Sequence, residues 1–208
     1  YLAFQRFVQK IVPNGILLAS GEDAGAVILA DDYAKSGGHS LLFGVDHQAL
    51  DFRADEVQPN NSGGYDFRMV GHDGVELAQV ALQVPGIHNV RNALAALSVA
   101  NILNLPMREA SYALNTFRGT SRRFEVRGET GGVVIVDDYA HHPSEIQATL
   151  SAARTRYGKR RIWAIWQPHT YSRTRMLQAE FIRSFENADR VIVTEVFAAR
   201  DPLPEDGF

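Results

Sequence analysis

The 208-residue chain has no cysteine, which rules out a disulfide framework and a thiolate-held metal. No apolar run approaches the roughly 18–20 residues of a membrane span, and no signal peptide opens the chain. No membrane partner is therefore expected, and the expected location is cytoplasmic. Neither sign of charge dominates: 21 Lys and Arg against 24 Asp and Glu leave a net charge of −3, with no electrostatic reason to expect nucleic acid. The Gly-x-x-x-x-Gly-Lys-Ser/Thr phosphate loop is missing too, as are internal repeats and low-complexity tracts. The chain opens on Tyr1, straight into an amphipathic pattern, and closes on a loop-like tail, residues 201–208. Both ends read as cuts through something longer.

What remains is an ordinary globular composition, 45% hydrophobic and 22% charged, long enough for one large or two small domains. Leu2, Phe4, Phe7, Val8 and Ile11 recur at helical intervals, and Pro13-Asn14-Gly15 should end that helix. Residues 16–19 predict a strand and 24–34 a helix stopped by Gly37-Gly38. From 40 to 84 the texture is that of strands, with Asp73-Gly74 signalling a hairpin and residues 60–64 a loop. An Ala- and Leu-rich helix follows Pro85-Gly86, easily formed and mostly buried. Asn89 and Asn92 lie three apart near its start, about 60° around the axis, so both amides can face one ligand. A capping Asn beside a solvated one explains the same spacing. Residues 107–117 form another helix, and a domain boundary is expected near 119.

Beyond that boundary the chemistry concentrates. Val133, Val134, Ile135 and Val136 predict a strand buried on both faces. Asp137, Asp138, Tyr139, His141 and His142 come directly after it, then Pro143 and Glu145 at the start of a helix. A strand at 161–166 leads into a loop at 167–175, then a helix carrying Leu177, Phe181 and Phe185, then a strand at 190–196. Strands alternating with helices predict βαβ units and a parallel sheet. All strand-to-helix loops then open on one rim, where ligands of such sheets collect. There Asp138, Tyr139 and His141 can meet His169, Tyr171 and Arg173, with Glu195 arriving on the third loop.

Several chemistries compete for this cluster. Histidines beside carboxylates suit zinc or iron, but adjacent side chains point apart, and no metal site is expected within the chain. A triad on Ser144 or Ser172 is possible on paper, although neither serine sits in a Gly-x-Ser-x-Gly elbow. Arg173 and Arg175 read as a solvated turn or, beside His169, as an anion clamp. Arg122-Arg123 is either surface charge or a reach toward a phosphate or ribose.

Three elements taken in order resemble the Mur ligase family: Gly86-Ile87-His88-Asn89-Val90-Arg91-Asn92, then Arg123-Phe124-Glu125, then Asp137-Asp138-Tyr139-Ala140-His141-His142-Pro143. With Gln167-Pro168-His169-Thr170-Tyr171-Ser172-Arg173-Thr174, the pattern is most similar to the branch that adds L-alanine to UDP-N-acetylmuramate; the tripeptide ligase of murein recycling is the alternative, as is a non-catalytic nucleotide- or amino-acid-binding piece. The resemblance implies an α/β fold. Residues 1–119 would be the second half of the central ATP-binding domain, with a small antiparallel sheet and helices. Residues 120–208 would be a truncated, Rossmann-like C-terminal domain with a parallel sheet. It implies ATP and Mg2+, the magnesium ligands mostly elsewhere, an acyl phosphate intermediate, and UDP-N-acetylmuramate and L-alanine as substrates. Carried over by residue, Asn89, Asn92, Arg123 and Asp138 would bind ATP. Tyr139, His141, His169 and Arg173 would bind the amino acid, with His141 and Arg173 catalytic. Some relatives carry Arg where Thr170 stands here, so a two-arginine clamp is not implied.

Overall fold

The computed structural model describes residues 1–45 and 50–204. The chain is α/β and divides into two compact units, Tyr1–Gln83 with Ile87–Phe117, and Val84–Gly86 with Arg118–Phe208. Among the described residues no helix is long and apolar enough to cross a membrane.

The first unit holds α1 (Leu2–Val8), β1 (Ile16–Ser20), α2 (Ala24–Lys35), β2 (His39–Val45), β3 (Phe52–Pro59), β4 (Tyr65–Gly71), β5 (Glu76–Ala81), α3 (Ile87–Ile102) and α4 (Met107–Thr116). Its strands form one sheet in sequence order, parallel from β1 to β3 and antiparallel from β3 to β5. Asp23 caps α2 by accepting from Ala26 N at 2.7 Å, satisfying one of the donors a helix start leaves open. The Asp73-Gly74 turn joins β4 to β5, with Gly74 at φ 81°, a conformation that favours glycine. On α3, Val90, Leu94 and Leu97 are buried, as are Met69 on β4 and Leu82. Ser98 lies buried among them and returns its hydroxyl to Leu94 O at 2.8 Å, so its polarity is satisfied. The first helix is shorter than its periodicity predicts: the chain tightens into i→i+3 bonds at Lys10 and Ile11 before Pro13.

The second unit holds β6 (Glu125–Thr130), β7 (Val133–Asp137), α5 (Pro143–Tyr157), β8 (Trp163–Trp166), α6 (Tyr171–Met176), α7 (Gln178–Arg183) and β9 (Arg190–Val193). β8 and β9 pair in parallel, with α6 and α7 in the crossover. β6 and β7 instead form an antiparallel hairpin. Gly131 and Gly132 at its tip have φ of 55° and 76°, the paired left-handed values of a two-residue hairpin turn. α5 packs Ala152 and Ala153 against Phe124, Val136 and Ile162. It also packs Ile146 and Leu150 against Phe181, Ala164 and Trp166.

Two further expectations need correcting. Residues 133–136 are not buried on both faces: Val133 is 61% and Ile135 54% exposed, because α5 covers only the side of β7 that carries Val136. Residues 167–175 are not loop throughout, since α6 begins at Tyr171 and places Arg173 on a helical turn. Of the tail 201–208, residues 205–208 lie outside the described residues.

Candidate functional site

The linker into β6 and the turn after β7 are stitched together by Asp138. Its two oxygens accept from Phe124 N and Ala140 N, both at 2.7 Å, and Tyr139 N donates to Arg122 O at 2.8 Å. Arg122 and Phe124 hold left-handed φ of 57° and 48°, backbone strain that side chains normally avoid and that the surrounding bonds must sustain. This winding brings the Arg122 and Arg123 guanidinium groups over the Tyr139 ring, 4.9 and 5.9 Å from its centre.

α5 starts on a reciprocal cap. Pro143 occupies the first turn, His142 accepts from Ser144 N, and Glu145 Oε2 accepts from His141 N and His142 N at 2.9 and 3.1 Å. The histidine pair is thereby split: the His142 ring, with Ser144 Oγ 2.8 Å from its Nδ1, serves the helix cap. His141 Nδ1 lies 2.9 Å from Tyr139 O. A carbonyl only accepts, so Nδ1 carries the hydrogen and Nε2 is the ring's acceptor when neutral. The Glu145 carboxylate is 3.5 Å from His141 Nδ1 and 4.0 Å from Arg123. Burial pushes its pKa up, but the backbone N–H groups of His141 and His142, together with the nearby His141 ring and Arg123 guanidinium, outweigh burial and hold it below the usual carboxylate range.

The second loop meets the first. The rings of His141 and His169 lie 6.5 Å apart, and Tyr139 sits edge-on to His141 at 5.2 Å. Arg173 donates to His169 O at 3.2 Å. His169 Nδ1 is buried without a hydrogen-bond partner, an uncommon state that marks a place for a ligand group or water. The third loop arrives through its backbone: Phe197 N donates to Pro168 O at 2.8 Å, and the Phe197 ring stacks on His169 at 5.5 Å. Glu195, the residue expected here, meets the second loop through its carbonyl, 3.5 Å from Gln167 Nε2. Asp201 accepts from Ser172 N at 2.6 Å; that bond, then the Ser172 and Thr170 hydroxyls, hold its pKa low.

In the first unit, Asn92 Nδ2 approaches Asn89 Oδ1 at 3.3 Å within the first two turns of α3, so the two amides do share a face. Between them Arg91 forms a fork with Glu22, at 3.0 and 2.8 Å, and Glu22 also accepts from Val45 N at 3.2 Å. That pair ties α3 to the ends of β1 and β2 and raises the Arg91 pKa through the Glu22 bond. Neither Glu22, Glu145 as an anchor, nor Phe197 emerges from sequence reasoning. The cap at His142 is hidden because histidine is not among the usual N-cap residues, and nothing in the local pattern marks one aromatic of the third loop.

The family model for the Mur ligase middle domain matches residues 1–100, and that for the Mur ligase, glutamate ligase domain matches residues 122–206. The UDP-N-acetylmuramate--L-alanine ligase of Caldanaerobacter subterraneus subsp. tengcongensis is 39% identical over 199 residues, 96% of this chain and 42% of that protein. The ligase of the same name from Caldicellulosiruptor saccharolyticus is 41% identical over the same length and shares. Among solved structures, the UDP-N-acetylmuramate-alanine ligase of Thermotoga maritima superposes with TM-score 0.75 at 27% identity, over 95% of this chain and 42% of that one. A murein peptide ligase from Psychrobacter arcticus gives 0.64 at 29% identity, over 92% and 39%. The chain thus spans about two fifths of the length of the curated relatives it matches.

Proposed function

The chain belongs to the Mur ligase family, and from that premise we propose that it supplies the nucleotide-facing and acceptor-binding parts of a cytoplasmic, ATP-dependent ligase joining L-alanine to UDP-N-acetylmuramate. Residues 1–119 correspond on this reading to part of the central domain and 120–208 to the C-terminal domain. The observation that carries it is the meeting of two loops: His141 and His169 6.5 Å apart, with Arg173 fastened to His169 and an unpartnered His169 Nδ1 beside them.

ATP supplies the phosphoryl group that converts the muramoyl carboxylate into an acyl phosphate. The paired amides of Asn89 and Asn92 offer a donor and an acceptor to one face, which suits an adenine edge, and Arg123 and Asp138 fit the role of further nucleotide contacts. Contacts to the triphosphate and its Mg2+ fall mainly to the rest of the enzyme, since residues 1–208 contain no phosphate loop. The acceptor then attacks: a C–N bond forms, the C–O bond to phosphate breaks, and inorganic phosphate leaves. Arg173 pairs its planar fork with the alanine carboxylate. The alanine ammonium must shed a proton before it can attack, and His141, with Nδ1 held to Tyr139 O, presents Nε2 as the acceptor. Tyr139 and His169 complete the walls. Most of the rate enhancement comes from holding amine and acyl phosphate in line.

The test is ADP release by the full-length protein. It should require UDP-N-acetylmuramate and L-alanine together; equal turnover with a tripeptide in place of alanine would move the protein to the murein peptide ligases.

A further inference from the structure

The acceptor pocket proposed above, on which this step rests, clamps the amino acid by its carboxylate at Arg173 and leaves its side chain to be accommodated. We infer that the Phe197 ring is the wall that limits the size of that side chain, making Phe197 the residue that selects alanine over larger amino acids.

Phe197 is fixed by its backbone rather than by its ring. Thr194 N donates to Trp166 O at 3.0 Å and Phe197 N to Pro168 O at 2.8 Å, and Phe197 bridges in parallel to His169. The β8–β9 ladder therefore runs on past Val193 and carries the ring to the pocket. His169 connects the two ends of the argument. Its carbonyl accepts from Arg173 and its imidazole stacks on Phe197, with the planes only 24° apart. His169 thus touches both groups, so a carboxylate taken by Arg173 would leave its side chain on the side of that stack, where the phenyl ring offers an apolar surface. The ring is 52% exposed and lies outside the core formed by Ile146, Leu150 and Phe181, so its packing is against His169 and not against that core. A methyl group can lie against it. Branched or longer side chains collide with a ring whose backbone cannot withdraw, and acidic ones lose hydration against it.

The experiment compares kcat/KM of the full-length enzyme for L-alanine, L-2-aminobutyrate and L-valine at saturating ATP and UDP-N-acetylmuramate. Phe197→Ala should lower the alanine to 2-aminobutyrate ratio about tenfold or more, the range one methylene commands in an apolar pocket. Phe197→Tyr should preserve the ratio, and the KM for ATP should hold in both variants. A ratio that changes by less than about twofold in Phe197→Ala overturns the inference. So does a uniform loss for all three amino acids, which is what a merely structural role gives. A wild-type enzyme that releases no ADP with L-alanine refutes the ligase reading itself, and that control separates the two failures.

Discussion

Replacing Asp138 by alanine removes the acceptor of two backbone hydrogen bonds, from Phe124 N and Ala140 N, each 2.7 Å long. Bonds to a charged group contribute about 1.5–3 kcal/mol each, and partial exposure here favours the low end. Asp138→Ala should therefore destabilise the second unit by about 3 kcal/mol and Asp138→Asn, which keeps one oxygen, by about half of that. In a unit of this size, 1 kcal/mol moves the midpoint by about 4–8 °C, so Asp138→Ala should melt roughly 12–24 °C below wild type. Both tryptophans of these 208 residues, Trp163 and Trp166, lie in the second unit, so in the 208-residue chain thermal unfolding followed by tryptophan fluorescence reports on that unit. An Asp138→Ala protein melting within about 2 °C of wild type would refute the stapling role. Lowered melting with an unchanged KM for ATP would refute the nucleotide role and leave the staple standing.

Arg173→Lys exchanges a two-pronged donor for a point charge and should raise the KM for L-alanine about tenfold without moving the KM for ATP; an unchanged KM for alanine removes the clamp. Glu145 is more acidic in the folded chain than when unfolded. Its contribution is therefore complete above the unfolded pKa of about 4.3 and fades as pH falls through the folded value. Glu145→Gln should flatten the loss of melting temperature between about pH 5 and about pH 3, as read by differential scanning calorimetry. Gly64→Ala would drive a Cβ into Leu82 O and pull apart the rung in which Leu82 N donates to Tyr65 O. Destabilisation of about 1–3 kcal/mol is expected, read as faster hydrogen exchange across β4 and β5.

Much of the fold is written in periods and punctuation. α5 begins at Pro143 as expected, because Pro143 and Glu145 stand where a helix start wants them. The Asp73-Gly74 hairpin was equally plain. What misled was apolar content without context. Val133, Val134, Ile135 and Val136 have the composition of a doubly buried strand, yet β-branched residues also suit a pleat covered on one face, and composition cannot tell the two apart. Gly131-Gly132 carried the missing information: a two-residue link cannot cross over to a parallel neighbour, so the chain had to turn straight back into β6–β7.

The candidate site divides along the same line. Asn89 with Asn92, and His141 with His169, come together because helix geometry and loop topology act over short, regular intervals. The third loop has no such rule. β9 ends at Val193, after which the chain keeps a broken ladder with the second loop, Thr194 to Trp166 and Phe197 to Pro168. Which side chain that ladder turns inward depends on the spacing of two hydrogen bonds between segments about 30 residues apart, and no local pattern encodes it. Chemical plausibility favoured the carboxylate of Glu195, whereas the backbone register puts a phenyl ring against His169. An acid at that point would repel the carboxylate proposed for Arg173, so on that proposal the register also gives the arrangement better suited to an amino-acid acceptor.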